Sequence, residues 1–147
     1  DKNIVFLPDS FLVGRSDFPI LPTMSKYLEE GSVSFGYLPN SDPDVLGSLG
    51  ALKVEDGKVL DFCDKPSSDS ATQYNAFWTT FGFSKEIGVP LLSMMTSSIQ
   101  RNPVSIRSLT ENIFGFPVQE YKDLGIWPNI VDFSQRMEKS GTPFPAF

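Results

Sequence analysis

The sequence predicts an α/β fold: a mixed, mainly parallel sheet that also carries an antiparallel hairpin. Three observations support this class. Short apolar runs such as Ile4-Val5-Phe6-Leu7 recur along the chain between Pro, Gly, Asn and Asp, the punctuation of strands and loops. Segments with helical caps alternate with those runs, as in layered α/β domains. Asp56-Gly57 separates two strand-like runs, and Asp-Gly is a strong hairpin signal, so the sheet is not purely parallel. The 147 residues suffice for one hydrophobic core and are short for two. Residues 1–147 are therefore read as a single domain.

Along the chain, Asn3 to Leu7 predicts a fully buried strand, with β-branched Ile4 and Val5, stopped by Pro8-Asp9-Ser10. Asp17 to Thr23 is a loop with two prolines; Thr23 caps a short helix through Tyr27 and Glu30, with Gly31 as its stop. Ser32 to Leu38 alternates Val33, Phe35 and Tyr37, the pattern of a half-buried strand. Asn40 to Asp44 is a polar loop. Leu49 to Val54 and Lys58 to Cys63 form the hairpin, and a Ser/Asp-rich turn over Ser67 to Ser70 leads to an aromatic strand from Gln73 to Phe83. Lys85 to Ile99 predicts a helix with Ile87, Leu91, Leu92, Met94 and Met95 inward, its early turns constrained by Pro90. Ser105 to Ile113 is a second helical segment, and Pro117 to Tyr121 a short strand. The last helix has Asp132 as N-cap, Gln135 as its capping-box partner and Gly141 as its end.

Composition narrows the chemistry. The chain has no histidine, which excludes Ser-His-Asp and Cys-His catalysis and histidine-ligated zinc. The single cysteine, Cys63, forms no internal disulfide and no CxxC site. With 12 basic and 18 acidic residues the net charge is −6, and no basic run suggests a nucleic-acid footprint. No apolar stretch approaches the roughly 18 residues that span a bilayer, and no charged and apolar leader pattern is visible, so the expected compartment is the cytoplasm. Carboxylates, lysines, arginines, hydroxyls and backbone amides remain.

Three places combine such groups with a strand end, where ligands gather in open α/β sheets. Asp9 follows the first apolar strand and is suited to a hard cation; the alternative is a turn aspartate. Asp64-Lys65-Pro66 closes the hairpin, and a lysine ahead of proline presents a point charge suited to phosphate, or else an ordinary solvated edge. In Tyr121-Lys122-Asp123-Leu124-Gly125 a second aspartate ends a short strand, again with a turn as the alternative.

In order, these segments resemble the sugar nucleotidyltransferases, the pyrophosphorylases that make nucleotide sugars such as dTDP-glucose. Ile4 to Ser10 looks like that family's strand ending in a metal-binding aspartate. Asp42-Pro43 through Gly50-Ala51-Leu52 to Asp56-Gly57-Lys58-Val59 is similar to its Asp-Pro, Gly-Val-Val and Asp-Gly elements. Asp64-Lys65-Pro66 matches Glu-Lys-Pro with an acid arm about 1.5 Å shorter. Phe77 to Phe83 takes the place of the next aromatic strand. Tyr121 to Gly125 resembles Trp-x-Asp-Ile-Gly-Thr, with Ile126 replacing the threonine. The resemblance covers nearly the whole chain.

The resemblance implies a Rossmann-like nucleotidyltransferase fold with Asp9 and Asp123 as Mg²⁺ ligands and Lys65 at the sugar phosphate. It also implies Asp64 at a sugar hydroxyl, and the backbone near Gly50 and Phe77 lining the sugar pocket. The implied catalytic set is Asp9, Asp123 and Lys65, and the implied substrates are a sugar-1-phosphate and a nucleoside triphosphate. The family's glycine-rich Gly-x-Gly-Thr-Arg loop precedes its metal aspartate, and nothing here matches it. The resemblance therefore places this chain in the C-terminal portion of such a domain, an incomplete fold. Activity would need the nucleotide-binding part, from a complementing N-terminal segment, and a homo-oligomer is the other association expected. The alternative reading is a non-catalytic nucleotidyltransferase-like subunit with a regulatory or assembly role.

Overall fold

The computed structural model describes residues 1–30, 33–98 and 106–140. The elements run β1 (Lys2–Phe6), β2 (Ser10–Gly14), α1 (Ile20–Glu30), β3 (Val33–Pro39), α2 (Pro43–Leu46), β4 (Gly50–Glu55) and β5 (Lys58–Asp64). They continue with α3 (Ser68–Ala71), β6 (Ala76–Ser84), α4 (Gly88–Ser98), β7 (Ile113–Asp123) and α5 (Trp127–Ser140). The strands form one seven-stranded sheet in the order β1-β6-β3-β7-β5-β4, with β2 on the far part of β7 and β4 also touching β6.

The mixed α/β class is as expected, but the direction of the sheet is not. β3–β7 is the one parallel pair among the described strands, and the other pairings are antiparallel. A mainly parallel sheet requires a crossover between each pair of neighbours. Here β6 is inserted between β1 and β3 and runs against both. Local apolar patterning carries no information about that insertion.

The hairpin forms where Asp-Gly placed it. Asp56 and Gly57 both have positive φ, 49° and 74°, as a two-residue primed turn demands. β3 is a strand as expected, yet it is buried on both faces, with Val33, Ser34 and Phe35 all inaccessible, because β6 and β7 flank it and helices cover it. β1 is the reverse case. Expected to be fully buried, it is an edge strand with Phe6 46% exposed.

Several element boundaries also differ. α1 starts at Ile20, so Thr23 lies inside it and not at its cap; Pro22 falls in the first turn, where no intrahelical N–H is required. The polar loop contains α2, whose cap is Asp42 accepting from the Asp44 N–H at 2.9 Å, and the Ser/Asp turn is the single-turn α3. Leu91 is inward on α4, but Leu92 is exposed. Of the predicted helix from Ser105 to Ile113, Ser105 lies outside the described residues; the described part holds a 3₁₀ turn at Ile106–Ser108, and Ile113 opens β7. β7 itself extends over eleven residues, well beyond Pro117 to Tyr121. α5 begins five residues before its expected cap; Asp132 lies within it and accepts from Lys122 Nζ at 2.7 Å. Gly31 and Gly141, the two expected helix stops, lie outside the described residues.

Alternate residues of the sheet feed different apolar clusters. Val33, Phe35, Leu52, Phe62, Phe81 and Leu91 belong to the largest. Leu46, Ala51, Cys63, Tyr74 and Phe77 form a second, with Tyr121 packed against it. Met24 and Leu28 of α1 meet Phe116 and Val118 of β7 in a third.

Candidate functional site

The length of β7 builds the site. Its first half pairs with β3, and its last part pairs antiparallel with β2, from Gly14↔Val118 to Ser10↔Asp123. That register brings the Pro8-Asp9 turn beside the end of β7. The Leu124 N–H donates to the Asp9 carbonyl at 2.6 Å, closing the two chain segments together. The Gly125 N–H donates to Asp123 Oδ1 at 2.7 Å, and Asn129 Nδ2 on α5 donates to the Asp123 carbonyl at 2.7 Å.

Two aspartates 114 positions apart in sequence thus converge. A Cβ built on Gly125 would lie 3.0 Å from Asp123 Oδ1 and 3.0 Å from Asp9 Oδ2, so those oxygens are separated by no more than twice that distance. The space is one that any side chain at 125 would fill. Two carboxylates facing a common gap repel each other unless a cation or proton lies between them. Both are hard oxygen donors, and Mg²⁺ is commonly held by one or two carboxylates with water and substrate phosphate completing the octahedron. Among the described residues no group of three or more acidic or thiol side chains is placed to hold an ion, so other oxygens would have to complete such a site.

Tyr121 stands beside this pair. Burial pushes its phenol pKa above the ordinary value, and the charges of Asp123 and Asp9 push it the same way. Its ring meets Phe77 edge-on at 5.3 Å between centroids. Phe77 is buried and pairs with Ala51 of β4, one residue from Gly50. Gly50 pairs in turn with Asp64 at the end of β5.

The remaining predicted residues divide at this point. Phe77 and Trp78 are consecutive on β6, Phe77 in the second cluster with Tyr121 and Trp78 against the largest cluster with Phe62 and Phe81. Asp64 lies with Trp78: both line a cavity of about 240 Å³ with Phe62, Phe81, Leu92, Met95 and Thr96. Gly50 carries the indole. A Cβ there would come within 1.8 Å of Trp78 Nε1, so the glycine face is covered by the ring. Lys65 is exposed just past β5, its N–H bound to the Leu49 carbonyl at 2.9 Å. Its φ of 48° is a conformation that costs a non-glycine residue about 1–2 kcal/mol.

The structure therefore brings Asp9 to Asp123 and Gly50 to Asp64, with Tyr121, Phe77 and Ala51 linking the two pairs. Trp78 and Gly125 were not singled out from sequence. Period-two alternation next to Phe77 is the signal that assigns Trp78 to the opposite face, and hence to Asp64. Gly125 belongs to the Tyr121 to Gly125 motif, but its closeness to Asp9 follows only from the pairing of β2 with β7.

No family model and no curated protein matches the sequence. Solved structures do match its fold. An apo UDP-glucose pyrophosphorylase superposes with a TM-score of 0.70 at 15% identity, over 95% of this chain and 55% of that one. A UDP-glucose pyrophosphorylase complexed with UDP-glucose gives 0.66 at 15% identity, over 95% and 57%. A putative glucose-1-phosphate thymidylyltransferase from Bacillus anthracis, in complex with a sucrose, gives 0.63 at 11% identity, over 100% and 57%. The chain thus has the fold of part of a sugar nucleotidyltransferase and spans a little over half the length of these neighbours.

Proposed function

We propose that this chain carries the metal and sugar-phosphate side of a sugar-1-phosphate nucleotidyltransferase. The convergence of Asp9 and Asp123 on the gap over Gly125 carries the reading, and the shared fold supports it. In the reaction a sugar-1-phosphate oxygen bonds to the α-phosphorus of a nucleoside triphosphate, the bond from that phosphorus to the β-phosphate bridge breaks, and pyrophosphate leaves. Such a transfer depends on positioning and charge neutralisation more than on a side-chain base. A chain without histidine can supply both.

Asp9 Oδ2 and Asp123 Oδ1 would hold Mg²⁺, which when bound neutralises phosphate charge and fixes phosphate oxygens. The Gly125 amide orients the Asp123 carboxylate, and the Leu124–Asp9 backbone bond sets the spacing of the pair. Lys65 extends from a turn held by Leu49, with its amine in solvent for a phosphate to meet. The nucleotide-binding part of the reaction is supplied from outside these residues.

Calorimetry on this chain tests the reading. Mg²⁺ and a sugar-1-phosphate should bind together more tightly than either alone, with Asp9→Ala or Asp123→Ala weakening Mg²⁺ by about tenfold or more. Lys65→Ala should weaken the phosphate ester while leaving Mg²⁺ unchanged. Mg²⁺ affinity that is indifferent to both aspartates overturns the proposal.

A further inference from the structure

Ser10 follows Asp9 in sequence and lies opposite Asp123 in the β2–β7 ribbon. The Leu124 N–H bond to the Asp9 carbonyl joins the residue after Asp123 to the residue before Ser10. A bond so placed flanks a non-hydrogen-bonded antiparallel pair, in which Cα atoms lie about 4.5 Å apart and facing side chains come closest. Ser10 and Asp123 therefore share one face at the tightest cross-strand spacing available. Leu12 and Tyr121 continue that face, whereas Phe11 and Lys122 point the other way, to Phe133 and Asp132 of α5.

The Ser10 hydroxyl is shut off from solvent and makes no hydrogen bond among the described residues. The Tyr121 phenol is close enough for that hydroxyl to act on it, but not in hydrogen-bonding geometry. A buried hydroxyl without a partner opposes folding, and native structures leave few of them. Asp123 is half engaged in the same place: Oδ1 accepts from the Gly125 N–H, and no donor among the described residues meets Oδ2. A serine hydroxyl has one proton to give and two lone pairs, so an approach by Tyr121 would still leave its proton for Asp123.

Carboxylates that ligate a metal are themselves held by hydrogen bonds, and loss of such a bond costs about 10–100-fold in affinity. A direct bond from Ser10 to the ion fits poorly, because the ion enters from solvent and this oxygen faces none. A donor behind the carboxylate fits well.

We propose that Ser10 is a positioning residue of the carboxylate pair, its hydroxyl donating to Asp123 Oδ2 when a divalent cation is bound. A turn about the Ser10 Cα–Cβ bond between staggered positions makes that bond. The inference rests on the proposed function for the place of the ion and adds the group that holds one of its ligands there.

Mg²⁺ is titrated calorimetrically into the full chain and into Ser10→Ala, Ser10→Thr and Ser10→Cys, and thermal midpoints are read with and without the ion. Ser10→Ala should weaken Mg²⁺ about tenfold or more, and Ser10→Thr, which keeps the hydroxyl, should stay within about threefold of the parent. Ser10→Cys keeps the size but donates weakly, and should lose affinity as Ser10→Ala does, which carries the test if the alanine chain does not fold. Without metal, the Ser10→Ala midpoint should equal or exceed the parent's, since an unpaired hydroxyl has gone; with Mg²⁺ its rise should be smaller. A midpoint lowered equally in both states marks a merely structural serine and overturns the inference, as does unchanged Mg²⁺ affinity in Ser10→Ala. Cd²⁺ binding tighter in Ser10→Cys than in Ser10→Ala also overturns it, because a thiolate gains a soft ion only as a direct ligand. If Asp9→Ala and Asp123→Ala weaken Mg²⁺ and Ser10→Ala does not, this inference fails and the proposed function stands; indifference to all three removes both.

Discussion

Gly125 serves the carboxylates more than the backbone. Its N–H holds Asp123 Oδ1, and the space where a methyl would stand is bounded by oxygens of both aspartates at 3.0 Å. Contacts that short are at the limit of what a carbon–oxygen pair tolerates, so Gly125→Ala must move one carboxylate by a few tenths of an ångström. A bound ion demanding near-ideal octahedral distances is sensitive to such a shift. The expected outcome is a several-fold loss of Mg²⁺ affinity by calorimetry, with unfolding free energy changed by less than about 1 kcal/mol because the site is at the surface. Unchanged affinity would mean that the gap is not the metal position. Asp9 and Asp123 can be marked in sequence because each stands at a predicted strand end, and Gly125 belongs to the same motif as Asp123, but nothing in the sequence puts it next to Asp9. Its environment exists only once β2 has paired with β7.

At the scale of elements, what could be read was what is local. The Asp56-Gly57 hairpin and the aromatic β6 stand where their residues placed them. The segment from 106 to 113 and the start of α5 did not, because both are decided by partners distant in sequence. Ile113 is drawn into β7 by pairing with Val33, against a helical periodicity. Asp132 looked like an N-cap, but its carboxylate meets Lys122 at 2.7 Å and Arg136 at 3.4 Å, tying α5 to the end of β7 next to the aspartate pair. Phe133 packs on Phe11 of β2, their rings tilted at 53° with centroids 4.5 Å apart, and fixes the same helix from its apolar side. The Lys122 bond holds the Asp132 carboxyl below its ordinary pKa of 3.8, with Arg136 acting in the same direction. A carboxyl lowered on folding contributes stability that is fully present above the unfolded pKa and is lost as pH falls through the lower folded one. Urea midpoints should therefore fall between pH 5 and pH 3 by more in the parent chain than in Asp132→Asn, the two curves converging at low pH. Parallel curves across that range would remove the ion pair as the anchor of α5.

At the scale of the whole molecule, two described strands, β1 and β2, each pair along one edge alone, and β1 is the one with a large apolar side chain exposed. β6, β3 and β7 are flanked on both sides, but β1 pairs only with β6 among the described strands. Its outer edge is a row of backbone donors and acceptors, and Phe6 adds apolar surface at 46% exposure. Edges of this kind recruit a further strand unless charge or covering structure prevents it. Lys2 guards one end through its 2.7 Å pair with Glu29, but Ile4, Val5 and Phe6 carry no charge. The net charge of −6 opposes self-association over a distance set by ionic strength, roughly 30 Å at 0.01 M and 10 Å at 0.1 M salt. Raising salt thus weakens the repulsion and leaves strand pairing intact. Sedimentation velocity should show the chain monomeric at low salt and increasingly associated as salt and concentration rise. Phe6→Lys places a charge on the edge and should suppress that association, while the thermal midpoint stays within the shift expected of a surface change of about 0.5 kcal/mol. If the parent chain associates equally at all salt concentrations, or Phe6→Lys leaves association unaltered, the contact lies elsewhere. The exposed Trp127 and Val131 of α5 would then be the surface to charge next.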